Sequence, residues 1–193
     1  RIVDHILGVN YVRSMPVYKL HVFPPFQTNY HYTKYIHKRT LLMNKALLTQ
    51  AKTEVEAYAQ TLCETLEENY KQESIESYKR MELTEGRSNY ATERLQEIED
   101  GTANLYKFVI KRGRKYLKII NQQFDDMGYD ATYQYRDGSV HAFIDKETGD
   151  VYKPAGYDKP AKHVRYNLLE RKDREFLFNW RNIGWAGGYL YMR

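Results

Sequence analysis

Six cations, Lys107, Lys111, Arg112, Arg114, Lys115 and Lys118, fall within twelve residues with no acid among them, and Tyr116 sits in their midst. Ammonium and guanidinium groups at this density suit phosphate oxygens, and a tyrosine among them can stack on a base. These seven residues are the candidate nucleic-acid-binding set. Two blander explanations compete with it. The face is basic for solubility and edge protection, or it pairs with the chain's own acidic residues.

Other reactive residue types are present without a pattern that uses them. There is no P-loop, dinucleotide fingerprint, nucleophile elbow, zinc-ligand pair or calcium loop, so no cofactor is expected. Asp125, Asp126, Asp145, Asp150 and Asp158 are enough acid for a metal-dependent phosphodiesterase, the third-ranked reading. Each, however, falls in an expected turn or loop, where aspartate is favoured for bonding the backbone. His141 and His163 have no carboxylate or hydroxyl partner in their spacing, so neither is expected to act as a general base. His31 and His37 are six apart, off helical register, and no metal site is expected there. Cys63 is the single cysteine. It excludes a disulfide framework, and with Glu64, Glu67 and Glu68 beside it, it reads as a small hydrophobe. An enzyme is therefore not the favoured class.

The elements that must position the basic cluster emerge from the charge distribution. The chain has 193 residues and a net charge of +5. Residues 1–39 carry six Lys/Arg against Asp4 alone; residues 40–100 carry seven basic and thirteen acidic; residues 101–193 carry seventeen basic and eleven acidic. Three blocks of alternating sign imply three pieces. Nineteen tyrosines argue for packed or sticky surface rather than disorder. No apolar run approaches the roughly 18 residues of a membrane span, so a soluble chain is expected.

Residues 1–42 read as a weakly structured basic arm, broken by Pro16, Pro24 and Pro25, with Val17–Phe23 as a short strand at most. No signal-peptide pattern opens it. The change into regular sequence at Met43 leaves open that the preceding residues are upstream sequence. Residues 43–100 form an acidic helical segment. Leu48, Ala51, Val55, Tyr58, Leu62, Leu66 and Tyr70 mark one helical stripe, and no Pro or Gly interrupts residues 26–85. The helix is expected over residues 41–83, with a break near Gln72–Ser74 where the stripe loses phase. A shorter helix follows, capped by Ser88 or Asn89 and closed at Asp100-Gly101. The long stripe also offers a surface for self-association or a protein partner through residues 41–83.

Residues 101–193 read as an antiparallel-sheet domain. Leu105–Lys111 and Arg114–Ile120 are expected to pair across Arg112-Gly113, placing Lys107 opposite Lys118. Alternation puts Tyr106, Phe108, Ile110, Leu117 and Ile119 on a buried face, and Lys107, Val109, Lys111, Arg114, Tyr116 and Lys118 on the other. Asp137-Gly138 is expected to turn a second hairpin, with Val140, Ala142 and Ile144 on one apolar face opposite Tyr135 and Tyr133. Asp145–Gly149 then turns into Asp150–Lys153. Ala161–Leu169 is expected as a short helix and Tyr189–Tyr191 as an edge strand. The fold class is α+β: an N-terminal helical segment, then a small antiparallel β-meander with a C-terminal short helix.

Ser139–Lys153 (SVHAFIDKETGDVYK), Pro154-Ala155, Pro160-Ala161-Lys162, Val164–Leu168 and Trp185–Tyr189 (WAGGY) carry a resemblance. Together they are similar to a module of small uncharacterised proteins of marine tailed phages, over about residues 103–192. The resemblance implies an infected bacterial cytoplasm or a virion as the setting, and implies no activity. The expected function is a non-enzymatic phage-type binding module contacting nucleic acid through the basic hairpin. The alternative is a phage structural or interaction protein assembling through its long helix.

Overall fold

The computed structural model describes residues 30–84, 86, 88–125 and 135–191. The chain divides into two compact units, Arg1–Leu42 and Met43–Arg193. In the first unit the described residues are helical, the start of α1 (Tyr30–Glu82). The proline-containing arm, with Val17–Phe23, His5 and His21, lies outside the described residues.

In the second unit α1 is followed by α2 (Ser88–Glu99) and five strands: β1 (Lys107–Arg112), β2 (Tyr116–Phe124), β3 (Tyr135–Asp145), β4 (Asp150–Pro154) and β5 (Pro160–Asn167). A short α3 (Arg171–Leu177) and a 3-10 turn (Gly188–Leu190) complete it. The strands pair in sequence order, each antiparallel to the next. The arrangement is α+β, with α1 and α3 sharing a core with one sheet face. No helix among the described residues is long and apolar enough to cross a membrane.

One core joins helix and sheet. Val55, Ala59, Leu62, Cys63 and Leu66 of α1 pack with Phe108, Leu117, Ile119, Ala142, Ile144 and Val151, and with Leu168, Leu177, Ile183 and Leu190 behind them. Their spacing is that of one helical face, so the acidic residues 43–100 and the sheet domain share their interior. Leu48, on the expected stripe, is 54% exposed, because the sheet does not extend under that turn of α1. Cys63 is fully buried, and burial, reinforced by Glu67 and Glu64, pushes its thiol up to about 12. It is an unreactive core residue.

α1 runs unbroken through Gln72–Ser74. An out-of-phase apolar residue distorts a helix only where a partner demands the phase, and here the flank is half-exposed. Gln72 bonds Glu68 at 2.7 Å, and Ser74 bonds the Tyr70 carbonyl at 2.8 Å. Gly101, at φ 72°, closes α2 with the Thr102 N–H on the Glu97 carbonyl at 2.9 Å, as a left-handed helix end requires.

Three parts of the expected sheet differ. Asp137-Gly138 does not turn; it lies inside β3, whose link to β2 falls in residues 125–134, largely outside the described residues, as do Tyr133 and most of Ala131–Arg136. Ala161–Leu169 is mostly β5 rather than helix, because Pro160 and Val164 pair with Pro154 and Tyr152. Tyr189–Tyr191 forms part of a 3-10 turn rather than a strand. Gly149, at φ 75°, turns β3 into β4 as expected.

Substituting the core should expose this division along α1. Leu62→Ala is expected to cost about 2–5 kcal/mol in urea unfolding, and Leu48→Ala less than about 0.5 kcal/mol. Equal losses would mean that Leu48 is also buried in solution.

Candidate functional site

The basic hairpin forms with a register four residues from the expected one. Lys111 faces Lys118 and Lys107 faces Gln122, and the turn closes through the Gly113 N–H on the Tyr116 carbonyl at 2.8 Å. The shift is even, so alternation still puts Phe108, Ile110, Leu117 and Ile119 on one face and Val109, Lys111, Tyr116 and Lys118 on the other. Lys111, Tyr116 and Lys118 lie on the face away from α1. Two like charges opposite each other repel, and the chain itself supplies the compensating anions. Lys111 pairs with Asp137, and Lys118 with Asp158 at 2.5 Å.

The remaining members of the set diverge. Arg112 pairs with Glu56 of α1 at 3.0 Å, so it belongs to the helix side. Lys107 curls toward α1, its ammonium 4.1 Å from the Tyr135 ring centroid and its charge bearing on Glu67. Glu67 is raised by burial, opposed by the Phe108 N–H it accepts at 2.8 Å and by Lys107. That bond also satisfies an outward N–H of the edge strand β1. Lys115 lies 3.4 Å from Asp145, and Arg114 stands exposed at the tip of the turn. The face away from α1 thus collects Lys111, Lys118 and Tyr116, with Arg114 and Lys115 at its rim.

Aromatic neighbours that the spacing did not reveal complete this face. Tyr116 meets Phe143 and Tyr152 edge-on, each with centroids 6.0 Å apart. Lys118 also lies 4.8 Å from the Tyr157 ring centroid. Ile120, Val140 and Phe143 form a small cluster of sheet residues beneath them. Tyr152 was visible only as one residue of a short strand. Its proximity to Tyr116 depends on two consecutive strand registers, β2–β3 and β3–β4.

The loop aspartates hold turns and lysines. Asp145 accepts the Glu147 and Thr148 N–H groups at 2.9 and 3.3 Å, and Asp150 is bonded by Thr148 and Asn167 at 2.7 and 2.8 Å. Asp126 lies outside the described residues. Among the described residues no three His, Cys, Asp or Glu side chains gather as a metal site would require.

A second concave site lies where the C-terminal segment meets β3. Two bulges interrupt the β2–β3 ladder, one at His141 and one near Gly138. The first turns His141 and Ala142 toward the same side, sending Val140 into the opposite cluster and overturning the expected Val140/Ala142/Ile144 face. At the second, a Cβ at Gly138 would lie 3.0 Å from the Asn121 carbonyl oxygen and would displace its side-chain amide, so glycine eases the close approach of the strands.

His141 is consequently buried, stacked edge-on against Phe108, with its Nε2 2.9 Å from the Tyr189 hydroxyl. Burial lowers its pKa to about 4, opposed by a hydrogen bond to the Trp185 backbone. A bond that favours the protonated ring runs from a ring N–H to the carbonyl, so Nε2 accepts from the Tyr189 hydroxyl. Burial also pushes the Tyr189 phenol up, and both groups stay neutral. Asn69 of α1 holds the same segment from beneath, accepting the Trp185 N–H at 2.8 Å and donating to the Trp180 carbonyl at 2.9 Å. The Trp185 ring stands edge-on to the stacked pair Tyr70 and Tyr106.

His141 should make stability pH-dependent. Unfolded, its pKa is the ordinary 6.5; folded, it is about 4, so the unfolded chain takes the proton first as pH falls. The neutral ring's contribution is complete above about 6.5 and declines by roughly 3 kcal/mol on descending through 4. Urea unfolding across that range is expected to show the gap between the wild type and His141→Gln narrowing as pH falls; a constant gap would contradict it.

The chain matches no curated protein and no solved structure. Residues 33–192, which span α1, the sheet and the C-terminal segment around His141, match a family of unknown function, DUF7717, and the chain belongs to that family.

Proposed function

We propose that the protein is a non-enzymatic binding module that contacts nucleic acid through the sheet face away from α1. The supporting observation is the grouping of Lys111 and Lys118 with Tyr116, Tyr152 and Tyr157, rimmed by Arg114 and Lys115. Cations supply phosphate contacts, and tyrosines supply stacking surfaces for single-stranded bases. The carboxylates on this face do not close it. Exposed ion pairs are worth about 0–1 kcal/mol, so a phosphate can replace Asp158 beside Lys118 at small cost. The phage setting belongs to the same proposal, in an infected bacterial cytoplasm or a virion. It rests on the resemblance carried by Ser139–Lys153 and Trp185–Tyr189.

A second reading, a structural or interaction protein assembling through its long helix, is favoured by one observation. Met43, Leu47 and Leu48 are exposed on the second unit's part of α1, at 58%, 62% and 54%.

Salt dependence tests the first reading. With Lys111, Arg114, Lys115 and Lys118 on phosphates, log affinity for single-stranded DNA should fall against log salt with a slope of about −3. Replacing these four by Ala should flatten the slope, whereas Lys107→Ala with Arg112→Ala, on the helix side, should leave it unchanged. A slope that responds to the second pair and not to the first four would remove this face as the interface. Absence of binding at low salt would remove nucleic acid as the partner.

A further inference from the structure

The concave site beside His141 is built differently from the basic face. It is a cavity of about 300 Å³, at the small end of ligand sites, which run roughly 300–1,000 Å³. Asn121 and Ser139 line it from the strands, Lys153 from β4, and Trp185, Leu190 and Tyr191 from the C-terminal segment. These positions come from four separate stretches, and the bulges of β3 shape the β2–β3 part.

Charge is the informative property. Among the described residues no acid lines the cavity, and His141 in its wall is neutral at ordinary pH. Lys153 is the one lysine or arginine among the described lining residues. Lys111, Lys115 and Lys118 each have a carboxylate partner. Lys153, by contrast, meets the Tyr191 ring, 3.6 Å from its centroid, and no carboxylate pairs with it among the described residues. An ammonium beside an aromatic wall, with no counter-ion, lacks the partner that a semi-enclosed cation favours. Nearby, the Ser139 hydroxyl bonds the Asn121 carbonyl oxygen at 3.4 Å, which leaves the Asn121 amide N–H groups for another acceptor.

Trp185 and Tyr191 supply the aromatic part of the lining, and Gly187 and Leu190 close it from behind. Trp185 is held in place by the backbone bond to Asn69 and by its edge-on contacts with Tyr70 and Tyr106. Leu190 is fixed because its carbonyl accepts from Arg165 Nε at 2.7 Å. Gly187 is left-handed at φ 81°, and a Cβ there would lie 3.6 Å from the His141 ring, in ordinary van der Waals contact with the imidazole. Such a surface is set before any ligand arrives, which lowers the ordering cost of binding.

We propose that this cavity binds a small organic anion, with a carboxylate or phosphate head on Lys153 and the Asn121 amide and a flat apolar body against Trp185 and Tyr191. The volume limits the body to one or two rings. The site is separate from the sheet face assigned to nucleic acid, so either assignment can fail without the other.

The test is an NMR titration of the full chain with benzoate, phenyl phosphate, benzyl alcohol and benzylamine. It follows the Trp185 indole N–H, with Trp180 as the internal reference. Saturable shifts of Trp185 with benzoate or phenyl phosphate, and none with benzylamine, are expected. The better of the two anions identifies the head group. Lys153→Met should weaken the binding tenfold or more, and Asn121→Asp, which adds a negative charge without changing shape, should weaken it as well. An unchanged Trp180 signal shows that each variant is folded. Benzylamine binding as well as benzoate, or Lys153→Met leaving affinity unaltered, would overturn the proposal. So would no saturation by about 10 mM, the weak limit for probes of so few atoms.

Discussion

Burial of one face of α1 against one face of the sheet is the interaction on which the remaining features depend. Val55, Leu62 and Leu66 meet Leu117, Ile119, Ala142 and Ile144 without exposed area between them. At about 1.5–3 kcal/mol for each large aliphatic side chain buried, this contact outweighs any surface ion pair in the molecule. It commits one sheet face to the core, and among the described residues of Met43–Arg193 no helix packs on the other. Arg112 is drawn to Glu56, and Lys107 toward Glu67, because both lie at the edge that α1 flanks.

The β-bulges of β3 do the second part of the organising. An extra residue in a strand reverses which side chains face inward beyond it. At His141 this places an imidazole in the core, where it has to find neutral partners. Tyr189 and the Trp185 carbonyl are those partners, and they fasten the C-terminal segment to the sheet. Asn69 fastens the same segment to α1. The cavity beside His141 is therefore a product of strand irregularity, and its walls are set by the same bonds that complete the core.

Several features were legible in the residues alone. The α1 stripe, the burial of Cys63, the left-handed glycines at 101 and 149, and the separation of Lys111 and Lys118 from Phe108 and Leu117 all follow from local periodicity or turn chemistry. The Asp137-Gly138 pair shows where that logic stops. The dipeptide favours a tight turn, yet the same glycine also permits a bulge against Asn121, and strand pairing decides between them. Pro160 gave a similar ambiguity, since it can open a helix or begin an edge strand. Pairing with Pro154 resolved it as an edge strand.

The sequence by itself determined the class of the fold, the composition of the basic hairpin and the side of the sheet on which most of its members would lie. Alternation and helical period are properties of neighbouring residues, and an even shift in register preserves them. Tertiary structure decided which charges are neutralised, which aromatic rings join Tyr116, and that His141, Lys153 and Trp185 line one cavity. Those relations join residues tens of positions apart. They depend on register, bulges and the docking of the C-terminal segment, and none of these is encoded in any local run of residues.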